Sequence, residues 1–226
     1  MPAPPYDVIG KYLTAMDQQQ RTLKDMSVDV RMEARIPKLK KYGTLNALRR
    51  ISSLGKVTYK VLGFSGDDTV KKEVMARYMS AEVEAAATRS VDMAITPTNY
   101  NFKYKGLSDK QGQRVHVLEL KPKSKRVGLF KGEIWLDEAT CLPIREQGNF
   151  VKSPSIFIKK IAFVRDYEIR DGVAVPKTTH GKVLTRLWGS AEMRVDFSNV
   201  TPIPEPLPSP LQIVLLEELF QLPKMP

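Results

Sequence analysis

The chain has 226 residues, 42% hydrophobic and 27% charged, the balance of a folded domain rather than of a disordered segment. Its formal charge of +11 favours acidic partners, while no apolar run approaches membrane-spanning length. The start, "MPAPPYDVIGKYL", lacks the basic and apolar regions of a secretory signal, as expected of a chain that begins after a removed signal peptide. One cysteine, Cys141, forms no intrachain disulfide and leaves the compartment undecided.

Residues 5–23 read as a helix with Val8, Ile9, Tyr12, Leu13 and Met16 on one face. "MSVDVRMEARI" (26–36) alternates strictly: Met26, Val28, Val30, Met32, Ala34 and Ile36 face one way, and polar residues face the other. A break at Tyr42-Gly43 leads to strands over 44–52 and 56–64. Asp67-Asp68 caps a helix over 69–87, with Val70, Val74, Tyr78 and Met79 on its buried stripe. Strands follow over 98–107, 113–121, 128–137, 142–152, 156–169, 173–187 and 190–200, separated by turn residues such as Gln111-Gly112 and Asp171-Gly172. "SIFIKKIAFV" (155–164) is apolar on both faces, the pattern of a strand covered on both sides.

This order predicts a mainly β chain with helices (α+β), a curved antiparallel sheet whose concave face is covered by helices. After Val200, prolines at 202, 204, 206, 208 and 210 mark an extended tether, followed by an apolar helix over 211–222. The chain thus divides into a domain over 1–203 and a tail over 204–226. The tail helix would cap the barrel or join a second copy.

Catalytic arrangements are scarce. His116 and His180 are the only histidines and match no metal-binding spacing. The pairs Asp137/Glu138 and Asp166/Glu168 read as solvated charges rather than acid and base, and Cys141 as an incidental turn cysteine. No metal, cofactor or catalytic residue is expected. "KPKSKRVGLFK" (121–131) holds five basic residues and no acid. It reads as a solvated hairpin loop, with contact to an anionic surface through Lys121, Lys123, Lys125, Arg126 and Lys131 as the alternative. Nucleic acid is not expected, because neither a basic helix nor exposed aromatics interleaved with basic residues is evident.

Three stretches carry a resemblance. "GEIWLDEATCLPIRE" has the pattern W-x-D-x-x-T-x-L-P, "YEIRDGVAVPKTTHGKV" pairs D-G with V-P, and "AEMRVDFSNVTPI" ends a strand in F-S-N-V. Over residues 130–203 these resemble, in order, the LolA-like outer-membrane lipoprotein-sorting proteins. The resemblance implies an unclosed antiparallel β-barrel with a helical lid over an apolar cavity. It also implies a periplasmic location and non-covalent binding of lipid or acylated ligands. The family's early Arg-Pro, whose arginine helps latch the lid, has no match: Arg49-Arg50 lack the proline. The expected lining is Met26, Val28, Val30 and Met32, with Tyr78 and Met79 from the helix above. An envelope protein partner on the same scaffold is the competing expectation.

Overall fold

The computed structural model describes residues 5–87, 93–154 and 156–203. The expected tail helix lies outside them. Strands β1 (Met26–Ile36), β2 (Lys41–Ile51), β3 (Val57–Gly66), β4 (Tyr100–Lys110) and β5 (Gln113–Pro122) form the first half of the sheet in chain order. The second half is β6 (Phe130–Asp137), β7 (Pro143–Phe150), β8 (Ile158–Arg170), β9 (Val173–Thr185) and β10 (Ser190–Pro202). All ten join one sheet in the order β3-β2-β1-β10-β9-β8-β7-β6-β5-β4, and every recorded pairing is antiparallel. The sheet is not closed; β3 and β4 are its edges among the described residues. Helix α1 spans Pro5–Thr22. A second helical segment combines α2 (Asp68–Val70), a π-helical stretch (Lys71–Ala76) and α3 (Arg77–Ala87).

Local chemistry accounts for the breaks. The β4–β5 and β8–β9 hairpins turn through Gln111-Gly112 and Asp171-Gly172, all four at positive φ, as a tight hairpin requires. The expected break at Tyr42-Gly43 is absent: Pro37–Leu39 form a 3-10 turn closed by left-handed Lys40, so β2 starts at Lys41. Gly43 sits inside the strand because the Phe64 ring lies over it, 3.0 Å from where a Cβ would be. The π-helical stretch rotates the helix, so the fully buried residues are Val70 and Met75, while Val74, Tyr78 and Met79 are half-buried. The two-sided covering expected of 155–164 is also absent at its start, since Ile156 and Phe157 lie exposed in the β7–β8 loop.

Two apolar clusters hold the helices to the sheet. Val8 and Tyr12 of α1 pack with Leu118, Leu120, Ile134, Leu136 and Phe163. Val70 and Met75 pack with Val30, Met32, Leu45 and Val195. In an antiparallel pair, partnered residues share a face. Register therefore traces one row across all ten strands: Phe64, Leu45, Met32, Val195, Thr179, Arg165, Glu146, Ile134, Leu118, Tyr104. Both helical clusters draw on this row, so both helices lie on the same face. α1 runs from the β4–β7 flank to β9, where Gln19 Oε1 accepts from the Ala174 backbone N–H at 2.9 Å, and the second segment covers the β10–β3 flank.

Candidate functional site

The row is apolar at both flanks and polar at its centre, where Thr179, Arg165 and Glu146 lie between the two helical clusters. Arg165 donates from Nη1 to Glu146 Oε2 at 3.4 Å and to the Tyr167 hydroxyl at 3.5 Å. Glu146 is buried, while 34% of the Arg165 side chain remains accessible. Tyr167 and Tyr78 are likewise half-buried. These partly accessible groups lie at the centre of the row, between the two helical clusters. Burial, reinforced by Glu146, pushes the Tyr167 hydroxyl up, and burial with Glu82 does the same for Tyr78.

On the other side of Tyr78, α3 is tied to the sheet by polar groups. Arg49 of β2 meets Glu82 of α3 at 3.4 Å, with 12% and 25% of their side chains accessible. The Tyr59 hydroxyl of β3 donates to the same Glu82 oxygen. Burial opposes the charge on Arg49, but Glu82 and Tyr59 outweigh it and hold its pKa above the ordinary value. Arg49 lacks the proline that the family pattern requires, and still it contacts a helix over the sheet.

Of the six expected lining residues, the structure gathers Val30, Met32, Tyr78 and Met79 into one cluster. Val28 is buried on the same strand face, and Met26 is half-buried at the strand's start. In the basic stretch, Lys121, Lys125 and Lys131 are exposed. Lys123 donates to the Pro97 carbonyl at 2.6 Å, and half-buried Arg126 donates to Ser124 and Asn99, so those two also hold the loop's shape.

Other singled-out groups have structural tasks. Asp137 Oδ1 accepts from the Thr140 backbone N–H at 2.9 Å and hydroxyl at 2.8 Å, which makes the D-x-x-T part of the motif a turn. Trp135 lies on the opposite face from the helices, between Lys110 and Arg145. Asp166 pairs with Arg145 at 2.6 Å and Glu168 with Arg170 at 3.0 Å, so neither faces the other as acid to base. His116 is buried and shares a 2.9 Å hydrogen bond with Tyr104; His180 is exposed. Burial pushes the Cys141 thiol up, away from nucleophilic use. Among the described residues no group of three or more potential metal ligands occurs, and no helix is long and apolar enough to cross a membrane.

Sequence reasoning missed Glu82, Glu146, Arg165 and Tyr167. The available signal was parity: Arg165 and Tyr167 alternate in step with Phe163, and a charge at an inward position is an anomaly worth pursuing.

A scan against protein-family models gave no match, and no curated protein matches the chain. Among solved structures it is similar to a domain from Vibrio parahaemolyticus described by outer membrane lipoprotein sorting, with 13% identity over 92% of this chain and 97% of that one, TM-score 0.46. It is similar to a DUF1329 family protein from Desulfovibrio piger, with 14% identity over 92% and 98% of the two chains, TM-score 0.45. A LolA superfamily protein from Nitrosomonas europaea matches with 10% identity over 90% and 96%, TM-score 0.41. Two of these three are named for lipoprotein sorting or LolA, the family that the sequence motifs resemble.

Proposed function

We infer that this chain is a non-covalent binding or carrier protein for lipid or acylated molecules in the periplasm. The α2–α3 segment would act as a lid. The observation that carries the reading is the partly accessible polar centre of the row, Arg165 and Tyr167 with Tyr78 above them, between the two helical clusters; we take it as the floor of a crevice. An apolar chain entering there would extend over Val28, Val30 and Met32 and beneath Met79. Methionine adapts its shape to varied ligands. The α3 segment is held partly by Arg49, Glu82 and Tyr59, and a polar contact separates at smaller cost than a wholly apolar one, because water resatisfies its groups. Such a seam suits a helix that must lift. The location rests on the motif resemblance over 130–203.

A fluorescent fatty acid titrated into the protein tests this. Each CH₂ buried adds about 0.8 kcal/mol, so competitors two carbons longer should bind about tenfold tighter until the crevice is filled. Affinity independent of chain length would sink the reading.

The competing reading, a module that grips a protein partner, is favoured by edge strand β3. It exposes Val61 and Leu62, and strand addition by a peptide would use that free edge. Val61→Lys should abolish capture of such a peptide without altering fatty-acid binding. If the variant still holds its partner, the edge is not the contact.

A further inference from the structure

The register places four short strand connections at each end of the sheet, and the two ends differ in chemistry. At one end lie residues 37–40, 123–129, 151–157 and 186–189; together they hold seven lysines or arginines and no acid. The long β3–β4 connection also leaves from this end, through Asp67, which pairs with Lys41, and exposed Asp68. At the other end lie 52–56, 111–112, 138–142 and 171–172, with one lysine against two acids, Glu138 and Asp171. Large exposed apolar residues divide the same way. Leu39, Val127, Ile156, Phe157 and Leu187 lie in the basic connections, and Leu54 alone lies in the others. Ile156 is 80% exposed and Leu187 58%, well beyond the expectation for side chains placed only to be covered by their own fold.

These connections adjoin one another. The Arg186 backbone N–H donates to the Phe157 carbonyl at 2.9 Å, and its Nε to the Ile156 carbonyl at 2.8 Å. The Val151 N–H donates to the Leu129 carbonyl at 2.9 Å, and Lys38 lies 3.7 Å from where Gly189 would carry a Cβ. Ile156, Phe157 and Arg186 also line a shallow open groove of about 440 Å³. The basic stretch at 121–131 is therefore one part of a larger surface, with Lys38, Lys40, Lys152 and Arg186 supplied by other loops.

We propose that this end of the sheet docks on an anionic lipid bilayer. Aliphatic tips ringed by lysine and arginine match the two layers of such a surface: apolar side chains reach the acyl boundary while the cations meet lipid phosphates. Nucleic acid fits less well, because the exposed apolar groups are mostly aliphatic and sit on loop tips, where no flat platform stacks bases. The proposal goes beyond the crevice reading, since it concerns a different surface and does not require a ligand inside.

Flotation of the full chain with vesicles of phosphatidylglycerol and phosphatidylcholine tests it, with pure phosphatidylcholine vesicles and a single-stranded oligonucleotide as comparisons. Binding should require the anionic lipid. Raising salt from about 0.01 M to about 0.15 M shortens the screening length from about 30 Å to about 8 Å and should weaken it about tenfold or more. Ile156→Ser with Leu187→Ser, both at exposed sites, should keep the melting temperature and lose binding by at least about tenfold. Brominated lipid should quench Trp188 at the β9–β10 tip, and Trp188→Phe should remove that quenching. Equal binding to neutral vesicles, unchanged binding by the double variant, or preference for the oligonucleotide would overturn the proposal. Uptake of fatty acid without vesicle binding would overturn it too, and leave the crevice reading standing.

Discussion

The pair that ties α3 to the sheet offers a direct test of how that helix is held. Arg49→Met removes the cation and leaves Glu82 with the Tyr59 hydroxyl; Glu82→Gln removes the charge but keeps an acceptor for that hydroxyl. Breaking one partner of a fully buried pair costs about 3–5 kcal/mol, whereas exposed pairs contribute about 0–1 kcal/mol. With 12% and 25% of the side chains accessible, this pair falls between those limits. Each single variant should therefore cost about 2 kcal/mol, which lowers the melting temperature by about 4–8 °C in a domain of this size. The double variant buries no uncompensated charge, so its cost should be well below the sum, with a coupling of about 1–2 kcal/mol. Thermal and urea melts of the four proteins measure the cycle. Hydrogen exchange over Arg77–Ala87 would locate the effect, with faster exchange there in each single variant. A coupling within about 0.5 kcal/mol of zero would refute the reasoning, since α3 would then be held by its apolar side alone.

Other consequences are equally specific. A Cβ on Gly132 would lie 1.9 Å from the Gln147 carbonyl oxygen of the neighbouring strand, so Gly132→Ala should cost upwards of about 3 kcal/mol and reduce soluble yield; a stable, soluble variant would contradict the β6–β7 register. Hydrogen bonds from Thr69, with Lys41 assisting, hold the Asp67 carboxyl below its ordinary 3.8, so its stabilisation of the helix start is complete above that value and disappears as pH falls through the lowered one. The melting-temperature gap between the native chain and Asp67→Ala should accordingly close in acid, and a gap independent of pH would argue against the cap. Cys141 is 2% exposed and its thiol is raised by burial, so a thiol reagent at neutral pH should label it only after denaturant is added; rapid labelling of the folded protein would show that the turn opens.

How much of this was legible in the sequence depended on the range of the interaction. Alternation in 26–36 identified the inward face of β1, and Asp-Gly and Gln-Gly marked tight turns, because period and turn chemistry are local. The start of β2 was misread because glycine signals a break in isolation, whereas Gly43 serves a ring from β3. Met75 escaped notice because a π-helical turn changes the phase that a 3.6-residue period assumes. The polar centre of the row joins residues from β7, β8 and β9, and only the register makes Glu146 and Arg165 neighbours. Arg49 was singled out through a motif it fails to match, while its partner Glu82 lies 33 positions away on an exposed-looking helix. The grouping of basic and apolar loops at one end is similarly a product of topology, since no single loop reveals it.

The central claim is that the crevice receives an acyl chain, and the direct measurement is mass spectrometry of organic extracts from protein purified out of its native cells without detergent. The account predicts recovery of acylated molecules near one per protein, reduced in a variant with Tyr78→Arg at the crevice border. Repeated recovery of no lipid, from folded protein that also fails to bind a fluorescent fatty acid, would contradict it.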